Sequence, residues 1–525
     1  MDRRSFLSYG AAAAGLFFFE DLASAAPTPA VETTSGKIRG FVQKVGSNKV
    51  YTFKGVPYGS STEPPRRFMP PVKPEPWTGV RDTVDFGPRA PQARAGGGLV
   101  PEVDVMEWKG PMSEDCLHMN VWTPGLKDGR KRPVMVWLHG GGFAAGSANF
   151  SLYDGRNLAG KHDVVMVGVN HRLNIFGFLY LPGIREKFSQ SGNVGMQDIV
   201  LALEWVRDNI ENFGGDPNRV TIFGQSGGGS KVSTLMGMPA AHGLFHRAIA
   251  MSGSQVTSMP AEEATDNAGF VFRRLNLFVN QADKLQQVPM EQLLEGPLRF
   301  SPVIDPFTLP ASPFDPVASE VSADVPLMIG STETEVTWLT NQKYDPPDDD
   351  GLRNRLKQTL RIDDAAADRV IAVYRKNRPN ASNLDLYLIA ASDGSNFRIG
   401  TDTEAQRKAE QGKTPVYRYY FQWYSPVRGG QLRSMHTMDI PFVMDVVDIA
   451  KSSIGEGKER QPLADKMSAA WVAFAATGKP RTKLLPEWPA FNLKDRPTMV
   501  FNNECKVVND PYREERLVIQ AVSRS

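Results

Sequence analysis

Only two cysteines, Cys116 and Cys505, occur in 525 residues, so at most one intramolecular disulfide can form and no disulfide framework holds the fold. Neither lies in a ligand-spaced cluster, and the seven histidines form no H-x-x-H pair. That argues against a metal centre, and no cofactor is expected. Charge of one sign is also missing: Lys+Arg at 60 against Asp+Glu at 58 leaves +2. With no basic block, neither nucleic acid nor an anionic membrane surface is an expected partner. Beyond the N-terminus no apolar run reaches the ~20 residues of a membrane span, so stable membrane insertion is not expected. There is no internal repeat.

What is present is material for a large core, with 41% hydrophobic residues. At ~150 residues per domain the length suits three domains, but single α/β domains often run longer. Residues 1–25 read as an export signal. Arg3-Arg4 precede Phe6-Leu7, apolar residues run from Ala11 to Phe19, and Ala23-Ser24-Ala25 is a small-x-small cleavage site. The arginine pair resembles the twin-arginine type. Cleavage near Ala25 would leave residues 26–525 as one exported domain, periplasmic or secreted.

Residues 31–58 alternate in hydrophobicity between glycines and predict antiparallel strands. Residues 64–77 are proline-rich, but Phe68 and Trp77 demand burial, so an ordered surface segment is expected. From Val121 the period changes. Short β-branched runs at Val134–Leu138, Val164–Val169, Val220–Phe223 and Val325–Ile329 alternate with helical stretches, which predicts a mostly parallel sheet flanked by helices. The clearest helices are Gln197–Asn212, with Val200, Leu203, Val206 and Ile210 on one face, and Pro462–Thr477, closed by Gly478. Residues 255–300 and 340–400 lack strand–helix alternation and predict helical excursions over one end of the sheet. The acidic run Asp345–Gly351 lacks the ligand spacing of a calcium loop and reads as a solvated loop.

The chemistry concentrates at Val220–Ser230. Four β-type residues run into Gly224-Gln225-Ser226-Gly227-Gly228, a G-x-S-x-G turn that carries its serine in a strained conformation at a strand end. Ser226 is the candidate nucleophile. Strand Val134–Leu138 ends in His139-Gly140-Gly141-Gly142-Phe143, whose bare amides can face a carbonyl oxygen. Gly141, Gly142 and Gly227 are the candidate oxyanion donors.

In an α/β arrangement the acid and then the histidine follow the serine. His118, His139, His162 and His171 precede Ser226, and His242 and His246 lie too close behind it. His436 alone remains. Glu333 and Glu335, after the strand that ends at Gly330, both qualify as the acid; Asp305 and Asp439 are weaker. Spacing alone leaves the two glutamates level.

Together FKGVPY, SEDCLHMNVWTP, HGGGF, NHRLNIFGFL, FGGDPNRVTIFGQSGGG, GLFHRAIAMSGS and HTMDIPF make the chain resemble the type-B carboxylesterases of the α/β-hydrolase superfamily, over nearly all of residues 26–525. The resemblance implies an α/β-hydrolase fold and an esterase acting on a small ester and water through a Ser-His-Glu triad. It puts the acid five residues beyond Gly330, at Glu335, and it implies an Arg67–Glu114 ion pair. The chain departs from the family in three places. Gly227 stands where relatives often have alanine, Ala90 stands where the partner of Cys116 would be, and His118 follows Cys-Leu. Trp108 is out of register with the cation-binding tryptophan of cholinesterases. Amide, carbamate or lactone hydrolysis by the same serine is the alternative chemistry, and a non-catalytic cholinesterase-like binding protein is the alternative class. Substrate choice is expected to lie in 255–300, 340–400 and side chains such as Phe143.

Overall fold

The computed structural model describes residues 26–93, 110–183, 185–296, 299–337 and 347–523. The export segment, Trp108 and Asp345 lie outside the described residues. Fourteen strands form in chain order: Val31–Thr33 (β1), Gly36–Arg39 (β2), Phe41–Val45 (β3), Asn48–Pro57 (β4), Val80–Asp82 (β5), His118–Thr123 (β6), Arg132–Leu138 (β7), Val165–Val169 (β8), Gly215–Gln225 (β9), Arg247–Met251 (β10), Leu327–Thr332 (β11), Val416–Phe421 (β12), Pro497–Phe501 (β13) and Lys506–Asn509 (β14). Eleven of them make one sheet in the order β14-β13-β12-β11-β10-β9-β7-β8-β6-β4-β3, and β1, β2 and β5 make a small second one. Strands β7 to β13 pair in parallel, while β14 and the β6-β4-β3 edge are antiparallel.

The central stretches of the parallel strands are mostly apolar because both faces are covered. Along β7, Val134, Val136 and Leu138 enter one core cluster and Met135 and Trp137 the other. Helix Val194–Asn209 (α1) packs into the first cluster through Ile199, Leu203 and Val206. Helix Arg460–Thr477 (α4) packs into the second through Leu463, Trp471 and Phe474, and ends at Gly478 in a left-handed cap. Between them lie Gly227–Leu235 (α2) and Asn396–Gln411 (α3).

The two expected excursions are helical, at Ala261–Arg274 and at Asp349–Leu360, Asp364–Asn377 and Asn383–Asp393. Phe68 is fully buried, as its size required. The acidic run needs a correction. Asp348 is the N-cap of the helix Asp349–Leu360 and accepts the Gly351 amide at 2.7 Å, with Asp349 and Asp350 in the first turn. The carboxylates sit where the helix dipole favours them, so this part of the run is a helix start and not a solvated loop. No helix among the described residues is long and apolar enough to cross a membrane.

Candidate active site

Strand β9 runs straight into the turn at Ser226, which has φ 59° and ψ −127°. A non-glycine residue held there stores roughly 1–3 kcal/mol of strain. The reversal is possible because Gly224 and Gly228 face each other and the end of β7: a Cβ on either would overlap backbone. Ser226 stands at the N-terminus of α2, at the C-terminal edge of the sheet, where open α/β sheets place their ligands.

A ladder of backbone hydrogen bonds crosses that edge. Ser226 N donates to Met251 O, Ser252 N to Gly330 O, Glu333 N to Phe421 O and Thr334 N to Ser434 O. The last step extends the β11–β12 pairing past the strand ends, and an isolated bridge pairs Thr334 with Met435. Their chain neighbours, Glu335 and His436, are therefore set side by side. His436 Nδ1 donates to Glu335 Oε2 at 2.5 Å, and Glu335 Oε1 accepts the Thr332 amide at 2.7 Å. Both side chains are buried. The Phe397 ring lies 4.3 Å from the imidazole, and the Gln225 amide nitrogen lies within hydrogen-bond distance of the ring, 3.4 Å from Nδ1 and 3.3 Å from Nε2.

The geometry separates the glutamates that spacing left level. Glu333 turns away from His436 and accepts Arg378 and Gln422, both at 2.7 Å, and Arg378 is also held by Glu515. Asp305 is fixed far from the histidine by Asn193 and the amides of Phe307 and Thr308. Asp439 accepts Tyr419 Oη at 2.8 Å; burial first, with Glu335 adding, pushes its carboxyl up to about 7. His246 accepts the Val220 amide midway along β9, away from Ser226.

Beside Ser226 lies the glycine run after β7. Gly141 and Gly142 have positive φ, 89° and 63°, and are exposed. The carbonyl of Gly140 accepts His139 Nδ1 at 2.8 Å, and that of Gly141 accepts the amides of Ala144 and Ala145. In a trans peptide the amide points opposite to its carbonyl. Pinning these two carbonyls therefore turns the Gly141 and Gly142 amides the other way. The Gly227 amide is one of the first-turn donors that α2 leaves without an intrahelical partner.

Sequence reasoning missed Lys231. It is fully buried on α2, with Nζ 2.9 Å from His139 O and 2.7 Å from Gly142 O. Burial pulls its amine down to about 7. Burial first and Lys231 second pull His139 down to about 3, and His171, stacked on it at 5.1 Å, goes the same way. Phe143 packs edge-on against Phe178 with its ring 5.4 Å from the Lys231 amine, where an aromatic face is good cover for a buried cation.

The family-implied pair is present and bidentate: Arg67 Nε and Nη2 bind Glu114 at 2.7 and 2.5 Å, and Nη1 reaches Leu285 O and Val288 O. Cys116 and Cys505 are both free. The His118 ring packs against Gly87, mostly buried.

A mostly parallel sheet with helices on both faces and these groups at its C-terminal edge defines an α/β-hydrolase. The sequence profile of the carboxylesterase family matches residues 27–520. The para-nitrobenzyl esterase of Bacillus subtilis is 35% identical over 93% of this chain and 97% of its own length. The phenmedipham hydrolase of Pseudarthrobacter oxydans is 32% identical over 94% and 99%. A crystal structure of a Geobacillus stearothermophilus carboxylesterase superposes with a TM-score of 0.79 at 33% identity, covering 94% of this chain and 100% of that one. The chain belongs to the carboxylesterase family, whose members are carboxylic ester hydrolases.

Proposed function

We propose that the chain hydrolyses small carboxylic esters by two-step acyl transfer on Ser226. His436 takes the proton from Ser226 Oγ as the oxygen attacks the ester carbonyl. Glu335 holds the imidazole in the tautomer whose free nitrogen faces the serine and balances the charge of the imidazolium. The amides of Gly141, Gly142 and Gly227 receive the tetrahedral oxyanion. The imidazolium then protonates the leaving alcohol, and water cleaves the acyl-enzyme by the same route. One observation supports this reading above the others: a backbone ladder joins the strained turn at Ser226 to the buried Glu335–His436 pair along one edge of the sheet.

Ser226→Ala tests it. Ester turnover should fall by roughly 10⁴-fold or more, as when a triad nucleophile is removed, with the unfolding midpoint retained. Turnover within tenfold of the wild type would sink the assignment. The name of the para-nitrobenzyl esterase relative supports p-nitrobenzyl esters as first substrates; amide, carbamate and lactone probes run beside them separate the leaving groups. We also read residues 1–25 as a twin-arginine export signal, supported by Arg3-Arg4 and Ala23-Ser24-Ala25. N-terminal sequencing of the exported enzyme should begin near Ala26, and unprocessed protein retained in the cytoplasm would refute the reading.

A further inference from the structure

Lysine on a fully buried helix position needs a reason, because removing an ammonium from water is costly unless it is paired. Lys231 has no carboxylate within ion-pair distance among the described residues; its partners are two backbone carbonyls of a single loop, His139 O and Gly142 O. Those carbonyls flank the two already pinned by His139 and by Ala144 and Ala145. Every carbonyl from 139 to 142 is thus held by a donor of the chain itself, and the two outer ones are held by Lys231.

Lys231 lies four residues after Gly227, so both project from the same face of α2. Gly227 meets the same loop. A Cβ built on it would overlap the amide nitrogen, Cα and carbonyl oxygen of Gly142. The loop occupies the space that an alanine methyl would need, and the lysine amine holds it there.

We propose that Lys231 is a positioning residue for the oxyanion donors. It ties the loop carrying the Gly141 and Gly142 amides to the helix carrying the Gly227 amide, and Gly227 lacks a side chain so that the tie can close. The inference rests on the donor assignment proposed above. It adds that the spacing of the three donors is set by a side chain that touches neither substrate nor Ser226.

Lys231→Met keeps the length and burial of the side chain and deletes the donor. Misplaced donors act on the transition state, so kcat should fall by ~10–100-fold, below the ~10²–10³ of deleting a donor outright, while KM moves less than about threefold. The affinity of a trifluoromethyl ketone, which forms an oxyanion adduct, should fall in parallel with kcat/KM. Gly227→Ala should be severe alone, because the loop cannot retreat. In the Lys231→Met background it should cost little more, so the double variant sits near the single lysine variant. If Gly227→Ala fails to fold alone, recovery of folded protein in the double variant supports the tie, and no recovery counts against it. A Lys231→Met enzyme with kcat within twofold of the wild type, or a double variant whose loss is the product of the two single losses, overturns the proposal. Failure of the acyl-transfer reading on which the donor assignment depends reads differently, as ester turnover surviving Ser226→Ala.

Discussion

Two glutamates two residues apart should fail in opposite ways. Glu335→Gln keeps the shape of a fully buried side chain that binds His436 Nδ1 at 2.5 Å, but its amide can donate where the carboxylate only accepts. A proton on Nδ1 then has no acceptor of full strength, and the tautomer with the proton on the nitrogen facing Ser226 gains. That imidazole cannot act as a base. The analogous substitution in the Ser-His-Asp triad costs ~10⁴ in kcat, and a comparable loss is expected here with little change in stability. Glu333→Gln removes the charge facing Arg378 Nη1 at 2.7 Å, in a site where Glu515 still neutralises part of the guanidinium. The stability loss should be about 1–3 kcal/mol, less than the ~3–5 of stranding a buried charge completely, with kcat within a few-fold of the wild type. Steady-state kinetics on a p-nitrophenyl ester and equilibrium urea unfolding read the two variants side by side. A large kinetic defect in Glu333→Gln, or near-normal kcat in Glu335→Gln, would refute the division of roles.

Three further outcomes follow from buried charges. Lys231 titrates near 7 in the folded chain against 10.5 when exposed, so between those values the unfolded state binds a proton that the folded state does not. Stability therefore rises with pH through that window by up to ~1.4 kcal/mol per unit from this group, with no contribution to the slope below about 7, where both states are protonated. The wild type minus Lys231→Met difference in unfolding free energy, measured from pH 6 to 10, should show that slope, and a flat difference would contradict the burial of the amine. Glu404, pushed up to about 8 by burial, acts with the opposite sign: the folded state holds the extra proton between 4.5 and 8, so stability falls as pH rises there and Glu404→Gln should flatten the fall. Arg67→Met strands the Glu114 carboxylate and the carbonyls of Leu285 and Val288. It should cost about 3–5 kcal/mol, read by the same urea unfolding, while leaving kcat of the surviving folded enzyme close to normal.

Strands buried on both faces announce themselves in sequence, which is why β7, β8 and β11 were legible as apolar runs. Their ends were less so. Strand β9 begins at Gly215, five residues before its apolar stretch, because Arg132 pairs with Gly215 across a register shift and a polar segment joins the sheet. Strand β10 (RAIAM) is too short and alanine-rich to stand out from a helix. Ser226, the glycine run and His436 could be found in the sequence because turn chemistry and chain order restrict them. The choice between Glu333 and Glu335 could not be made on spacing, since it depends on which side of a bridge between Thr334 and Met435 each carboxylate leaves. Lys231 was invisible for a related reason. Its signal is a charge at a buried helical position, and the burial of α2 is known only once the loop after β7 is seen to cover it.

These unequal signals reflect two ways of holding a site rigid. Ser226, Glu335 and His436 hang on a continuous backbone ladder from β9 through β10 and β11 to β12, so their spacing is inherited from strand pairing. The glycine run lies beyond the last pairing of β7 with β9, at Leu138 and Gly224. Glycines that free the amides also free the chain, which has the largest conformational entropy to lose on ordering. A stretch so flexible cannot present donors at fixed distances unless something outside it takes up its carbonyls. In this chain His139, the turn at Ala144 and Ala145, and the lysine of α2 do that together. The donors should therefore be the part of the site most sensitive to substitutions that never touch substrate, and the acid–base pair the least.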